Sequence, residues 1–418
     1  MADLVIIGAS YAGTQLALAA RANGFAGNIT MIGEESHPPY QRPPLSKAFL
    51  RNEVDASSLP LQSPERFAEE RITLRTGVTA LRIEREARKV ELSDGSEIGY
   101  GHLALTTGAR CRTLTCEGSG LGNVHYLRNL ADACAIRDAA SRSRTAVVIG
   151  GGFIGLEVAA ALRTLGVEVA VVEMQDRLLQ RAVPPLISTF LMRAHAHEGV
   201  RFHLSSRVRR LLGHASVEAI ELESGEVIAA DMVVAGLGVV PNVELAQACG
   251  LVVDNGIVVD RYARTSDPQI VAAGDCAAYP NPWLNAVGQG VGQGVGTKRC
   301  VRVESIQSAN DLARVAAATL ADRAMPYEAV PWFWSDQYDY KLQMAGASAG
   351  HEQIVLRGDV ESGKFTALYL RDGTLIGADT VNRPLDHLAA RRLIAARVRP
   401  DPTALQDESI PLKSLAAA

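Results

Sequence analysis

No run of apolar residues in this chain approaches the roughly 20 that a helix needs to cross a bilayer, which excludes a membrane-spanning helix from the expected fold. The N-terminal apolar run is short. It enters Gly8 directly, with no basic stretch before it and no cleavage pattern after it, so no secretory leader and a cytoplasmic location are expected. An excess of positive charge is also missing. With 42 basic and 46 acidic residues, a net charge of −4 and a pI near 6.2, the chain lacks the electrostatic footprint of a nucleic-acid binder. Cysteine is scarce: six in 418 residues, expected as free thiols rather than a disulfide framework. No metal site is expected from the sequence.

What is present is a long chain of ordinary globular composition, 47% hydrophobic and 21% charged, and its length calls for two or three domains. Near the start, "LVIIGASYAGTQLALAA" predicts a strand over 3–7, a glycine turn, a helix over 13–23 and a strand over 28–32, followed by Glu34 and Glu35. The pattern returns at "VVIGGGFIGLEVAAAL", with a strand over 146–149, a helix ending at 165, a strand over 168–172 and then Glu173. Each is a βαβ unit with its glycines where a dinucleotide loop needs them, and the recurrence marks a duplicated fold rather than a solenoid.

In such a loop the first glycine makes the turn, the second lets backbone approach a pyrophosphate, and the third lets helix and strand pack closely. The second loop has all three, Gly150, Gly152 and Gly155; the first has Gly8 and Gly13 with Ser10 between them. A carboxylate at the end of the second strand suits the ribose hydroxyls of an adenosine. That describes Glu173 in one unit and either Glu34 or Glu35 in the other. Asp275, in "AAGDC", suits either a flavin ribityl chain or a helix cap. The segments 102–110 and 232–242 are apolar runs broken by glycine where the chain is expected to change domain. Beyond a helix over 305–320, Asp372-Gly373 signals a hairpin in an antiparallel tail. The glycine-alternating stretch 288–296 reads as a surface loop, since its Gly-Thr-Lys order does not match a P-loop.

Eight segments in order, "GASYAG", "PYQRPPLSK", "TTGAR", "GGGFIGLE", "GLGVVPN", "AAGDC", "RVESIQSAND" and "PWFWSDQYDYKLQMAG", give the chain a resemblance over nearly its whole length. It resembles the FAD-dependent NADH:ferredoxin reductases that serve bacterial Rieske oxygenases and cytochromes P450, the putidaredoxin-reductase type. "RPPLSK" and "FWSDQ" carry that resemblance more specifically than any glycine loop. It implies an α/β fold with two Rossmann-like dinucleotide-binding domains, glutathione-reductase-like, plus a C-terminal α+β domain. The FAD-binding domain would take residues 1–110 and 245–324, the NAD-binding domain 111–244, and the C-terminal domain 325–418.

The resemblance also implies roles. Gly8, Ser10 and Gly13 would hold the FAD pyrophosphate and Glu35 its ribose. Arg42, Lys47 and Arg110 would lie by the flavin, Asp275 at its ribityl or phosphate end, and Glu304 and Trp334 near its ring. Gly150, Gly152, Gly155 and Glu173 would take NADH, with Glu157 paired to Lys47 beneath the reacting ring. Lys47, Glu157 and Trp334 are the candidates for tuning the chemistry. The partner would be a transiently bound [2Fe-2S] ferredoxin. Read from the residues themselves, the basic clusters at Lys298, Arg299 and Arg302 and at Arg391, Arg392, Arg397 and Arg399 are either a surface that steers it or an ordinary solvated helix face.

Two rivals share this fold. A disulfide reductase or NADH oxidase would use a C-x4-C pair. Cys111 and Cys116 have that spacing, but they follow the "TTGAR" turn rather than the first βαβ unit. A non-catalytic flavoprotein resembling apoptosis-inducing factor would call for a basic surface, which the net charge does not favour. His195 and His197 are given no catalytic role.

Overall fold

A computed structural model describes residues 3–284 and 300–417. The expected loop at 288–296 lies outside the described residues, as do Lys298 and Arg299.

Strand Leu4–Ile7 is buried at every position, as a central parallel strand covered on both faces should be. It pairs in parallel with Ile29–Gly33 on one side and His102–Leu105 on the other. Ile72–Thr76 and Ile270–Ala272 complete a five-stranded parallel sheet in the order 270–272, 102–105, 4–7, 29–33, 72–76. The chain therefore leaves this sheet after residue 105 and returns to it at residue 270.

A second parallel sheet repeats the plan, with Thr145–Ile149 flanked by Glu168–Val172 and Met232–Ala235, and with Arg201–His203 and Val124–His125 at its edges. In both sheets the strand entering the glycine loop sits beside a strand from much later in the chain. That is a topological switch point, where parallel sheets open a crevice at their carboxyl ends. Ala109–Cys111 and Val239–Pro241, from the two stretches expected to change domain, pair with each other as an antiparallel ribbon.

The first helix runs Tyr11–Ala22, two residues earlier than expected, because Gly13 is part of the helix rather than of the turn. It packs on Ile306–Leu320, whose N-cap Ser305 accepts from the Ser308 N–H. The tail forms a five-stranded, wholly antiparallel sheet, in the order 332–337, 340–346, 374–381, 364–371, 353–359. Asp372 and Gly373 both have positive φ, 49° and 70°, as a two-residue hairpin turn of the expected kind requires. Helix Pro384–Ala395 covers one face of that sheet.

Candidate active site

The two glycine loops open onto one cavity of about 1700 Å³, well above the roughly 300–1,000 Å³ of a single small-molecule pocket. Gly8 and Gly150 both turn with positive φ, 112° and 111°, a region an L side chain rarely adopts. Of the fifteen residues singled out from the sequence, all but Gly13 and Gly155 line the cavity. Those two lie behind it. A methyl group on either would stand 2.1 Å from the carbonyl oxygen of the loop's first glycine, so their role is close packing of helix on strand.

The middle position explains the serine. A Cβ at Gly152 would meet nothing within 4 Å, so the second loop position faces open space. Ser10 occupies the matching place in the first loop. It is the N-cap of Tyr11–Ala22, yet its hydroxyl makes no capping bond and instead accepts from Arg42 Nε at 3.3 Å. Neither this helix nor Phe153–Thr164 has a side-chain cap or an acid in its first turn. Their first N–H groups remain free for an anion, which the helix dipole favours. The donor set and the cradle both fit a pyrophosphate.

Around the first loop, Arg42 joins two other predicted residues and one that was not predicted. Its guanidinium pairs with Glu35 at 2.5 Å, donates to Ser10 and donates to the Arg128 carbonyl at 2.7 Å. Tyr40 donates a short bond to Glu35, and burial pushes its hydroxyl well above the usual phenol range. Asp275 does not cap a helix with its side chain; its carboxylate accepts from Arg128 at 3.0 Å. Arg110 stands exposed at the rim, tied to Asn242 and Glu244. Glu304 pairs with Arg302 at 2.5 Å. That pairing corrects one expectation: the Arg302 side chain is only 9% exposed and bonds to the Asn255 and Asp275 carbonyls, so it is no docking cation.

At the second loop, Glu173 accepts from the Gly151 N–H at 2.6 Å and the Gln175 N–H at 2.8 Å, fixing the loop's shape while remaining in the cavity wall. Between the loops lies the expected ion pair, Lys47 Nζ to Glu157 Oε2 at 2.5 Å, with side chains 13% and 2% exposed. Trp334 lines the cavity with its ring 5.5 Å from that of Trp332.

Several residues at the site were not foreseen. Ser46 donates to Glu157 Oε2 at 2.5 Å, and Ser335 donates to Oε1 at 2.6 Å. Gln337 follows Ser335, and His195 lies against Gln337. The alternation of a strand carried part of the signal, since Ser335 and Gln337 are two apart in "FWSDQ" and share a face. Arg128 and His195 gave no local signal.

Cys111 and Cys116 are free thiols, and burial raises both, the opposite of what a reactive thiolate requires. Among the described residues no group of three or more His, Cys, Asp or Glu could hold a metal ion, and no helix is long and apolar enough to cross a membrane.

Comparison with known proteins bears on the same chemistry. Residues 2–290 match the family described as pyridine nucleotide-disulphide oxidoreductase, and residues 332–416 match a reductase C-terminal family. Rhodocoxin reductase of Rhodococcus erythropolis is 46% identical over 412 residues, 98% of this chain and 93% of that one. The ferredoxin–NAD(+) reductase component of the anthranilate 1,2-dioxygenase system of Burkholderia cepacia is 44% identical over 98% of each chain. The reductase in the crystal structure of a covalent putidaredoxin reductase–putidaredoxin complex superposes with a TM-score of 0.93 at 38% identity, covering 100% of this chain and 98% of that one.

Proposed function

Because the chain belongs to the pyridine nucleotide-disulphide oxidoreductase family, in its ferredoxin-reductase branch, and so uses a flavin and NAD(H), we propose that it is an FAD-dependent NADH:ferredoxin oxidoreductase. Its electrons would pass to a [2Fe-2S] ferredoxin that feeds a Rieske oxygenase or a cytochrome P450. The reaction balances as one NADH and two oxidised ferredoxins giving NAD⁺, two reduced ferredoxins and one proton. The flavin supplies the conversion between a two-electron hydride donor and one-electron acceptors.

The observation that carries this reading is the single cavity joining two phosphate-ready loops, with the Lys47–Glu157 pair buried between them. On this reading the chain's own work is positioning. The first loop, Arg42 with Glu35, and Asp275 with Arg128 hold FAD. The second loop and Glu173 hold NADH. Lys47 presents a fixed positive charge in the cavity wall where the two ligands meet, and Glu157 keeps it there. Trp334 lines the cavity from the tail sheet, and Glu304, held by Arg302, lines it from the segment before helix Ile306–Leu320.

The sheet memberships support residues 1–110 and 245–324 as the FAD domain, 111–244 as the NAD domain and 325–418 as the third domain. The expected setting is the cytoplasm, where NADH and a reduced ferredoxin pool coexist.

The test is NADH-driven cytochrome c reduction with a [2Fe-2S] ferredoxin added or omitted. Reduction should depend on the ferredoxin. Equal rates without it would refute the reading.

A further inference from the structure

One buried polar chain runs from the Lys47–Glu157 pair into the tail sheet and on to residues outside the cavity lining. Ser335, Gln337 and His195 are each at most 2% exposed. Ser335 Oγ lies 2.6 Å from Glu157 Oε1, Gln337 Nε2 lies 3.0 Å from Ser335 Oγ, and His195 Nε2 lies 2.7 Å from Gln337 Oε1. The Tyr338 hydroxyl lies 3.3 Å from His195 Nδ1. The members come from three segments: helix Phe153–Thr164, helix Pro185–His197, and strand Trp332–Gln337 with the turn that follows it.

The direction of every bond follows from one end. An ionised carboxylate only accepts, so both Ser46 and Ser335 spend their single hydroxyl proton on Glu157. Ser335 must then accept from its other neighbour, which requires the Gln337 NH₂ group at that position. The Gln337 carbonyl oxygen therefore faces His195 and accepts, so His195 must carry its proton on Nε2. Burial pushes the His195 pKa down to about 4, with the Gln337 bond opposing that shift, so the ring is neutral near pH 7. Its Nδ1 is then an acceptor for Tyr338. All four donors point toward Glu157. Because an amide interrupts the chain, it orients charge and does not conduct protons.

We propose that His195 is a positioning residue for the electron-transfer centre: through Gln337 and Ser335 it fixes the hydrogen bond to Glu157 Oε1, and so holds Lys47 in place in the cavity wall. The proposal rests on the reading of the cavity as the junction of flavin and nicotinamide. Without the His195 donor the Gln337 amide is free to turn over. Ser335 would then donate to the Gln337 oxygen and leave Glu157 Oε1 buried without a partner. A hydrogen bond to a charged group is among the stronger ones, and leaving such an acceptor unmade is costly. The carboxylate would answer by drawing harder on Lys47, displacing it from the ligands.

The test uses the full, flavin-loaded chain with three variants. In the wild type, ¹⁵N NMR of the histidine rings, assigned by loss of the signal in His195→Gln, should show a neutral Nε2–H tautomer at about pH 7. His195→Phe keeps the volume and removes the donor. It should slow bleaching of the flavin absorbance by NADH about tenfold, or about 1.4 kcal/mol of barrier, with KM for NADH unchanged. His195→Gln places an amide donor near the Nε2 position and should recover most of the rate. Ser335→Ala breaks the same chain at another element and should reproduce the slowing, which keeps the test valid if His195→Phe does not fold.

An Nδ1–H tautomer or a charged ring near pH 7 would overturn the proposal. So would wild-type bleaching rates in Ser335→Ala or in a folded His195→Phe, or lowered stability with no change in rate, which is what a purely structural role gives. Absence of ferredoxin reduction in the wild type would count against the proposed function instead. The tautomer and the bleaching rates are measured without ferredoxin.

Discussion

Replacing Glu173 by glutamine separates two roles that the structure gives one carboxylate. Its oxygens accept from the Gly151 and Gln175 N–H groups, and the same half-buried side chain lies in the cavity wall, where an adenosine ribose would meet it. NADP carries a phosphate on that ribose. Two unit charges about 5 Å apart at an effective dielectric of about 20 repel by roughly 3 kcal/mol. Solvent and salt reduce this at a partly open site, and about 1.4 kcal/mol, or tenfold, is a conservative remainder. Wild-type kcat/KM should therefore favour NADH over NADPH by about tenfold or more. Glu173→Gln removes the charge and should bring the ratio toward one. It also turns an NH₂ group toward one of the two loop N–H groups, leaving that donor unpaired at about 1–3 kcal/mol, so KM should rise for both coenzymes. The assay is steady-state reduction of an artificial acceptor with each coenzyme, alongside flavin content, which should not change. Equal wild-type efficiencies, or a ratio unmoved in the variant, would refute the placement of Glu173 against the ribose.

Cys111→Ser combined with Cys116→Ser should leave NADH-to-ferredoxin turnover near wild type, since both thiols are held protonated by burial; collapse with flavin still bound would revive a thiol mechanism. Gly155→Ala drives a methyl group into the Gly150 carbonyl and should cost about 1–3 kcal/mol and weaken NADH binding, whereas Gly152→Ser meets only open space and should leave the loop intact. NADH titrations that rank the two variants the other way would contradict the packing argument. Asp379, buried in the tail sheet and accepting from Tyr369 at 2.7 Å, is pushed up to about 7 by burial. Its folded pKa lies above its unfolded value near 4, so it lowers stability as pH rises between about 4 and 7, with no further change above that. Urea midpoints at pH 5 and pH 8 should thus differ less in Asp379→Asn than in the wild type; parallel curves would show that the carboxyl titrates normally. His195 and His387 act at the acid end. Burial pushes both down to about 4, so the stability they confer is complete above about 6.5 and is lost as pH falls toward 4.

Whatever depends on local geometry was legible in the chain. Runs of apolar residues meeting a glycine turn dictate a parallel strand and its loop, and the elements at 4–33 and 145–172 formed within about two residues of expectation. Asp372-Gly373 fixed a hairpin because few other dipeptides adopt positive φ twice. The bond between Lys47 and Glu157 was expected only from the resemblance, since no spacing rule links residues that far apart. Which polar groups would meet followed only from how the domains pack. Arg302 looked like a surface cation in the sequence and is almost covered, because Glu304 and two backbone carbonyls fold over it. Arg128 reached Asp275, and His195 reached Gln337, across more than a hundred residues of chain. In the sequence His195 was given no catalytic role, and Gln337 stood out only as part of the "FWSDQ" segment. Only when the tail sheet closes over the two helices does burial remove water from both, and a buried donor then has to find its acceptor.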